Sequence, residues 1–490
     1  MKTRWVNRVD TLFSSSFAVC FLLVSIACES KKAPQRRKPN VVLINVDDLG
    51  WKDLGFMGSD YYDTPNLDAL ATEGMVFTNA YASAANCAPS RACMLSGLNT
   101  TKHGVYTVSP SDRGDKKTRK LIPTKNIAHL SDDLYTLPKM MKSAGYVTGS
   151  FGKWHIGKDP SKQGIDYNVG GSSKGNPGKD GYFAPYTIDN IENGPEGEYL
   201  TDRLTSETVS FIEKNKDTTF FLYIPFYTVH TPIMGKEALI EKYKSKQGKD
   251  GQDNPEYAAM VSSMDENVGR ILKTLKTLNL EENTLLIFTS DNGGIRSISE
   301  QNPLRAGKGS YYEGGIRVPL VIKWPGKILK GSTNHNTVSN LDFYPTLQEV
   351  VAPVEKATKL DGVSLTSQFM DTTANQRDLY FHFPIYLQAY SMVDDDGRDP
   401  LFRTRPGSVI ISGDYKLHRY YEDEGLELYN LKSDLGERNN SVSENPLKVE
   451  ELQKKLNSWL QLENAPIPVE KNLDYDESFE KVKLQKSGHK

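Results

Sequence analysis

The chain has 490 residues, 38% of them apolar and 25% charged, with 60 Lys and Arg against 62 Asp and Glu. These proportions are ordinary for a globular protein, and the length allows one large core with a smaller satellite. A formal charge of −2 offers no basic surface for nucleic acid, so an anionic ligand has to be met by a local cluster of cations.

Residues 1–28 read as a targeting segment. Lys2, Arg4 and Arg8 precede an apolar run, Phe17 to Ala27, that is too short to span a bilayer. The ending Val24-Ser25-Ile26-Ala27-Cys28 resembles a bacterial lipoprotein signal, with Ser25 where Leu is usual; a plain cleaved signal peptide is the alternative. Either places the protein in the periplasm, and a lipid on Cys28 would hold it to the outer membrane without a transmembrane helix. Residues 29–39 form a polar tether. With Cys20 and Cys28 in the signal, only Cys87 and Cys93 remain, which is no disulfide framework; their spacing admits a local bridge, or one special Cys beside a buried one.

The folded part opens with Asn40–Val46, a continuous apolar run that reads as a buried parallel strand. Tyr146–Phe151, Phe220–Phe226, Thr284–Thr289 and Val318–Trp324 repeat the pattern. Helical periodicity falls between them at Pro65–Glu73, Leu137–Ser143, Thr201–Lys214 and Tyr257–Leu278. The alternation predicts an α/β fold, a large mostly parallel sheet sandwiched by helices, spanning residues 40–374. Ligands in such sheets sit beyond the carboxyl ends of the strands. There the first strand runs into Asp47-Asp48, and Thr284–Thr289 into Ser290-Asp291-Asn292-Gly293. If the two ends meet, they supply an all-oxygen site suited to calcium or magnesium rather than zinc. The Gly-, Asn- and Lys-rich stretch 159–200 reads as a long loop. After residue 375 short strands (Arg377–Phe383, Ser408–Tyr421, Leu426–Leu431) and an amphipathic helix (Leu447–Leu460) predict a C-terminal α+β subdomain, 375–490, with an antiparallel sheet and a polar tail.

The segment Cys87-Ala-Pro-Ser-Arg91-Ala-Cys93-Met-Leu-Ser-Gly97 carries helix signals at both ends, Pro89 in the first turn and Gly97 past the last. It places Cys87 at a helix N-terminus, where backbone N–H groups attract an anion, with Arg91 one turn on. Cys-x-Pro-Ser-Arg resembles the signature of the type I sulfatases, members of the alkaline-phosphatase-like superfamily, in which the Cys is oxidised to formylglycine. Gly152-Lys153-Trp154-His155-Ile156-Gly157, His230-Thr231-Pro232, Asp291-Asn292-Gly293, Gly307-Lys308-Gly309 through Pro319, Leu360-Asp361-Gly362, Gly413-Asp414-Tyr415-Lys416-Leu417 and Leu428-Tyr429-Asn430-Leu431 match further blocks of that family in its order.

The resemblance implies a sulfuric ester hydrolase acting on sulfated carbohydrate of host or algal origin. It implies a maturation enzyme that makes formylglycine from Cys87, and one calcium ion held by Asp47, Asp48, Asp291, Asn292 and the modified Cys87. In the implied mechanism the hydrated aldehyde attacks sulfur and a covalent sulfo-enzyme forms, which the second hydroxyl resolves. His230 would protonate the leaving oxygen, His155 would trigger sulfate release, Lys153 and Lys308 would neutralise sulfonyl oxygens, and Arg91 would orient the diol. A modified Cys87 excludes a bridge to Cys93. His103, His382 and Arg403 are candidate substrate contacts; Glu313, Arg317 and Asp342 read as structural. Two rivals stand: a phosphonate or phosphodiester hydrolase of the same superfamily, and a lipoprotein that binds sulfated glycan without turning it over.

Overall fold

A computed structural model describes residues 38–486 apart from 109, 352–358, 374–376 and 391–394; the targeting segment and nearly all of the tether lie outside the described residues. The central sheet has eight strands in the order Tyr167–Val169, Val147–Phe151, Phe220–Pro225, Asn40–Val46, Thr284–Ser290, Leu320–Lys323, Met75–Phe77 and Ser332–Asn334. Asn40–Val46 lies at the middle and pairs in parallel with a neighbour on each side. Its side chains alternate between the two faces. Val42, Ile44 and Val46 enter one apolar cluster, Val41 and Leu43 the other. A strand buried on both faces has to be apolar throughout, which is why its sequence shows no alternation.

The sheet is parallel except where Leu320–Lys323 runs against both of its neighbours. That segment looks like the parallel strands because it too is buried on both sides. Met75–Phe77, Tyr167–Val169 and Ser332–Asn334 are three residues long, below the length at which an apolar run stands out, and Tyr167–Val169 lies inside the expected long loop. Of the helices, Pro255–Thr277 is the longest and lays Val261, Met264, Val268, Ile271 and Leu275 on the sheet; the Asn254 side chain caps it by accepting from the Tyr257 N–H.

The C-terminal sheet is antiparallel, in the order Asp378–Phe383, Gly407–Ser412, Tyr415–Tyr420, Leu426–Asn430. The expected single strand over 408–421 is a hairpin that turns at Gly413-Asp414. One face packs Val409 and Ile411 against Tyr81, Tyr106 and Tyr311 of the larger region; the other packs Ile410, Leu417 and Leu428 against the helix Pro446–Leu462. The polar tail is partly helical, at Glu477–Lys486. Among the described residues no helix is long and apolar enough to cross a membrane.

Candidate active site

The parallel register sets Val46 beside Ser290, so the two central strands end level and deliver Asp47-Asp48 and Asp291-Asn292 to one place. The Asp48 N–H donates to Asp291 Oδ1 at 3.2 Å, and Asn292 Nδ2 donates to Asp48 Oδ1 at 2.8 Å. Asp48 has φ +60°, a left-handed conformation that a non-glycine residue adopts where surrounding contacts dictate it. Cys87 opens the helix Cys87–Ser96, which ends at Gly97 with φ +68° as its sequence signals require. Atoms of Asp47, Asp48, Asp291 and Cys87 lie within 4.8 Å of one another, and all four residues are buried.

Three cations offset the three carboxylates. Lys153 Nζ donates to Asp47 Oδ2 at 2.6 Å, and Lys308 Nζ to Asp48 Oδ2 at 2.6 Å. Arg91 Nε donates to Asp291 Oδ2 at 2.8 Å while Nη1 holds the Lys153 carbonyl at 2.7 Å. Burial alone would raise Asp48, but Lys308, His230 and Lys153 outweigh it and hold the carboxyl below its usual range. At Asp291 burial wins over Arg91 and the pKa rises to about 6. Burial and then Asp47 push the Cys87 thiol up to about 12, so it is a poor thiolate at neutral pH.

The cluster fits a hard divalent cation on its own evidence. Asp47 Oδ1 and Asn292 Oδ1 are buried and accept no hydrogen bond, the first having only Arg91 Nη2 at 3.8 Å, beyond hydrogen-bond reach. A buried oxygen in that state is destabilising by about 1–3 kcal/mol unless a donor or a cation meets it. Turning over the Asn292 amide exchanges Nδ2 for Oδ1 beside the carboxylates, giving an oxygen-rich donor set of the kind calcium or magnesium takes.

Above the cluster lies a cavity of about 350 Å³ lined by Cys87, His155, His230, Lys308, Arg403, Asn86, Val108, Arg113, Gly175, Asn176, Thr231 and Tyr390. His230 Nδ1 lies 2.6 Å from the Thr231 carbonyl, which only accepts, so Nδ1 carries the proton and Nε2 faces Asp48 Oδ2 at 3.7 Å. Burial, then Lys308, lowers its pKa to about 3. His155 is held at φ +64° with Nδ1 buried and unbonded; burial, then Lys153, depresses it well below the ordinary range. Gly175 closes over this ring, where a Cβ would come within 2.4 Å of it.

The expected catalytic and metal residues therefore converge, Arg91, Lys153, Asp47, Asp48, Asp291 and Asn292 beneath the cavity and the others on its wall. His103 and His382 do not reach it. His103 Nδ1 accepts from the Val105 N–H and Nε2 meets Cys93 Sγ at 3.3 Å; His382 is enclosed by Ser408 Oγ and the Pro466 carbonyl. Each satisfies both ring nitrogens inside the protein, which corrects their assignment to substrate. Arg403 lines the cavity, whereas Arg398 and Arg405 are tied to carboxylates elsewhere. Cys87 and Cys93 are both free thiols. Glu313 joins Lys416, Arg317 and Tyr81, and Asp342 caps its helix and pairs with Arg377, so all three structural assignments agree with the contacts seen. Arg113, Asn176 and Tyr390 were not singled out, since they sit in irregular segments without a motif.

Comparison with known proteins agrees with this geometry. A family model described as "Sulfatase" matches residues 39–352, and one described as "N-sulphoglucosamine sulphohydrolase, C-terminal" matches 307–465. A "Sulfatase" of Formosa agariphila is 36% identical, over 91% of this chain and 93% of its own. The human N-acetylgalactosamine-6-sulfatase is 31% identical, over 71% of this chain and 69% of its own. Among solved structures, that of "Ps i-CgsB in complex with k-i-k-neocarrahexaose" superposes with a TM-score of 0.70 at 28% identity, covering 92% of this chain and 98% of that one. With the family model spanning well over half its length and its motif residues gathered at one cavity, the chain belongs to the sulfatase family and is a sulfuric ester hydrolase.

Proposed function

We propose that the protein removes O-sulfate groups from carbohydrate, using a formylglycine made from Cys87 and one calcium ion. The observation that carries this reading is the placement of Cys87 Sγ. It lies at a helix N-terminus on the cavity floor, among three carboxylates and three cations. A thiol raised to about 12 is unsuited to act as a thiolate nucleophile itself, which favours a modified side chain at this position. The relatives' names support the substrate class: one acts on N-acetylgalactosamine 6-sulfate, and one solved neighbour holds a neocarrahexaose.

When present, the formylglycine supplies a hydrated aldehyde as nucleophile, and the calcium held by Asp47, Asp48, Asp291 and Asn292 supplies positive charge beside the nucleophile and the sulfate oxygens. The chain's own residues do the rest. Lys308 and Lys153 bring ammonium groups to the sulfonyl oxygens, and both are already positioned by Asp48 and Asp47. Arg91, held at two points, fixes the charge behind the nucleophile. His230 presents Nε2 to the cavity; burial, then Lys308, keeps it neutral in the free protein, so it takes a proton at Nε2 as the anion enters and passes that proton to the leaving oxygen. His155, neutral by burial, takes a proton at the nucleophile so that sulfate leaves.

In location, the sequence of residues 1–28 supports export to the periplasm with a lipid on Cys28. A phosphonate hydrolase of the same fold is the rival reaction. The experiment is to produce the chain with a formylglycine-generating enzyme, weigh the peptide containing Cys87, and assay sulfated sugars beside phosphate and phosphonate esters. An aldehyde at residue 87 with turnover of the sulfate esters is expected. An intact thiol in fully active protein, or turnover of the phosphorus esters alone, would overturn the proposal.

A further inference from the structure

The cavity wall holds two guanidinium groups and no carboxylate among the described residues. Arg403 is only 8% exposed. Its Nε donates to the Gln388 carbonyl at 3.0 Å and its Nη1 to the Lys308 carbonyl at 3.1 Å, and its guanidinium lies 3.8 Å over the Tyr390 ring. Its Nη2 makes no hydrogen bond among the described residues. Arg113 is half-buried and lines the same cavity, and among the described residues it makes no hydrogen bond or ion pair. Burial, then the Arg403 charge, lowers the pKa of Arg113, as expected of two cations brought together.

Nearby arginines behave differently. Arg405 pairs with Asp399, Glu422 and Glu480, Arg398 with Asp423 and Glu427, and Arg119 with Asp112. Carboxylates are therefore at hand in this part of the fold, and among the described residues the two arginines on the cavity pair with none of them. Lys308, the remaining lysine on the wall, is already committed to Asp48. The planar donor fork of Arg matches an oxyanion in two-point contact, and it keeps its charge when desolvated.

We propose that Arg113 and Arg403 form a second anion subsite, which reads a further anionic substituent, sulfate ester or carboxylate, carried by the same glycan as the sulfate to be removed. The inference rests on the carbohydrate reading above and narrows it: the preferred substrates carry at least two anionic groups. Arg403 is fixed by three neighbours and is the anchor. Arg113, without a partner among the described residues, supplies the second guanidinium from the same cavity wall. Because Arg403 grips the Lys308 carbonyl, an occupied subsite also steadies the loop that carries Lys308.

The test separates binding from turnover. In a Cys87→Ala background, calorimetry measures matched oligosaccharides bearing one sulfate, two sulfates, or one sulfate and one uronate carboxylate. Arg113→Gln should weaken the dianionic ligands by about 10- to 100-fold, the range of a charge-assisted bond. The same change should weaken the monosulfated ligand by a markedly smaller factor, and Arg113→Lys should restore part of the loss. A loss confined to one dianionic series identifies the second group as sulfate or as carboxylate. An equal loss for one and two anionic groups, or none for either, overturns the subsite. Arg113 makes no hydrogen bond or ion pair among the described residues, so its replacement should leave the fold intact, which a thermal melt checks. Turnover by the matured wild-type enzyme is followed on the same compounds. Binding that depends on Arg113 without any turnover of these sugars would refute the carbohydrate O-sulfate reading and leave the subsite standing.

Discussion

Calcium should raise the melting temperature of this protein, by an amount set by its excess over the Kd that the buried oxygens provide. Asp47 Oδ1 and Asn292 Oδ1 are buried without a hydrogen bond, and each costs about 1–3 kcal/mol while it lacks a partner. A cation relieves that cost at Asp47 Oδ1 directly, and at Asn292 Oδ1 once the amide has turned over and given up its Nδ2 bonds to Asp48 and Gly293. Ligand in excess converts that affinity into stability through mass action, about 2.7 kcal/mol at a hundredfold over Kd. For a chain of this length the per-residue unfolding entropy turns each kcal/mol into about 1 °C, so a shift of about 3 °C is expected at that excess. The assay is a thermal melt of chelator-treated protein titrated with calcium, magnesium and zinc. Calcium should shift the midpoint more than zinc, because carboxylate and amide oxygens favour a hard ion. Asn292→Ala removes one oxygen ligand and should shrink the calcium shift, whatever it does to the metal-free midpoint through the lost bonds to Asp48 and Gly293. An equal calcium shift in wild type and Asn292→Ala would refute the assignment of Asn292, and no shift in either would refute the site.

His230→Ala should lower kcat by about 10²- to 10⁴-fold on alkyl sulfates, the span of general acid catalysis, and by much less on aryl sulfates whose leaving group needs no proton; a loss independent of leaving-group pKa, read from a series of phenyl sulfates against a sugar sulfate, argues against His230 as the acid. Acid should destabilise the fold through His103 and His382, which burial holds at about 3 and about 4 against a usual value near 6.5. Both are neutral in the folded state while the unfolded chain protonates them, so stability is full above about pH 6.5 and falls as pH drops toward 4, by up to about 1.4 kcal/mol per pH unit for each histidine. Denaturant midpoints of wild type and His103→Gln between pH 7 and 4.5 check this: a variant with the same pH slope as wild type would show that His103 is not buried neutral.

The convergence of the candidate site was legible because its residues are tied to regular elements. Asp47, Asp291 and Asn292 follow directly from two apolar strands, and Arg91 follows from Cys87 by one helical turn, so finding the element finds the residue. The parallel sheet was legible for the same reason: a strand covered on both faces leaves an unbroken apolar run. What the sequence hid was direction and partnership. Leu320–Lys323 is as apolar as its neighbours yet runs against them, since burial dictates composition and not orientation. His103 and His382 look like candidate ligands in isolation, and only the packing shows Cys93, Ser408 and Pro466 filling their hydrogen-bonding capacity. Arg113 and Tyr390 were hidden for the opposite reason, because loops carry no period from which a facing residue could be inferred.

Charge balance gives the arrangement its logic. Three carboxylates and three cations leave the buried cluster neutral, and a divalent cation makes it strongly positive at the floor of the cavity. A sulfate monoester brings one negative charge, so it answers only part of that excess, and the cation and the ester should bind cooperatively. The same sum leaves a sulfate monoester indistinguishable from a phosphodiester or a phosphonate monoester, which carry the same single charge. Discrimination then falls to the wall, where Arg113 and Arg403 respond to what the rest of the glycan carries. Measured coupling between calcium and inorganic sulfate tests the point directly: calcium should tighten sulfate binding several-fold, and independence of the two would mean that the ion lies away from the carboxylate cluster.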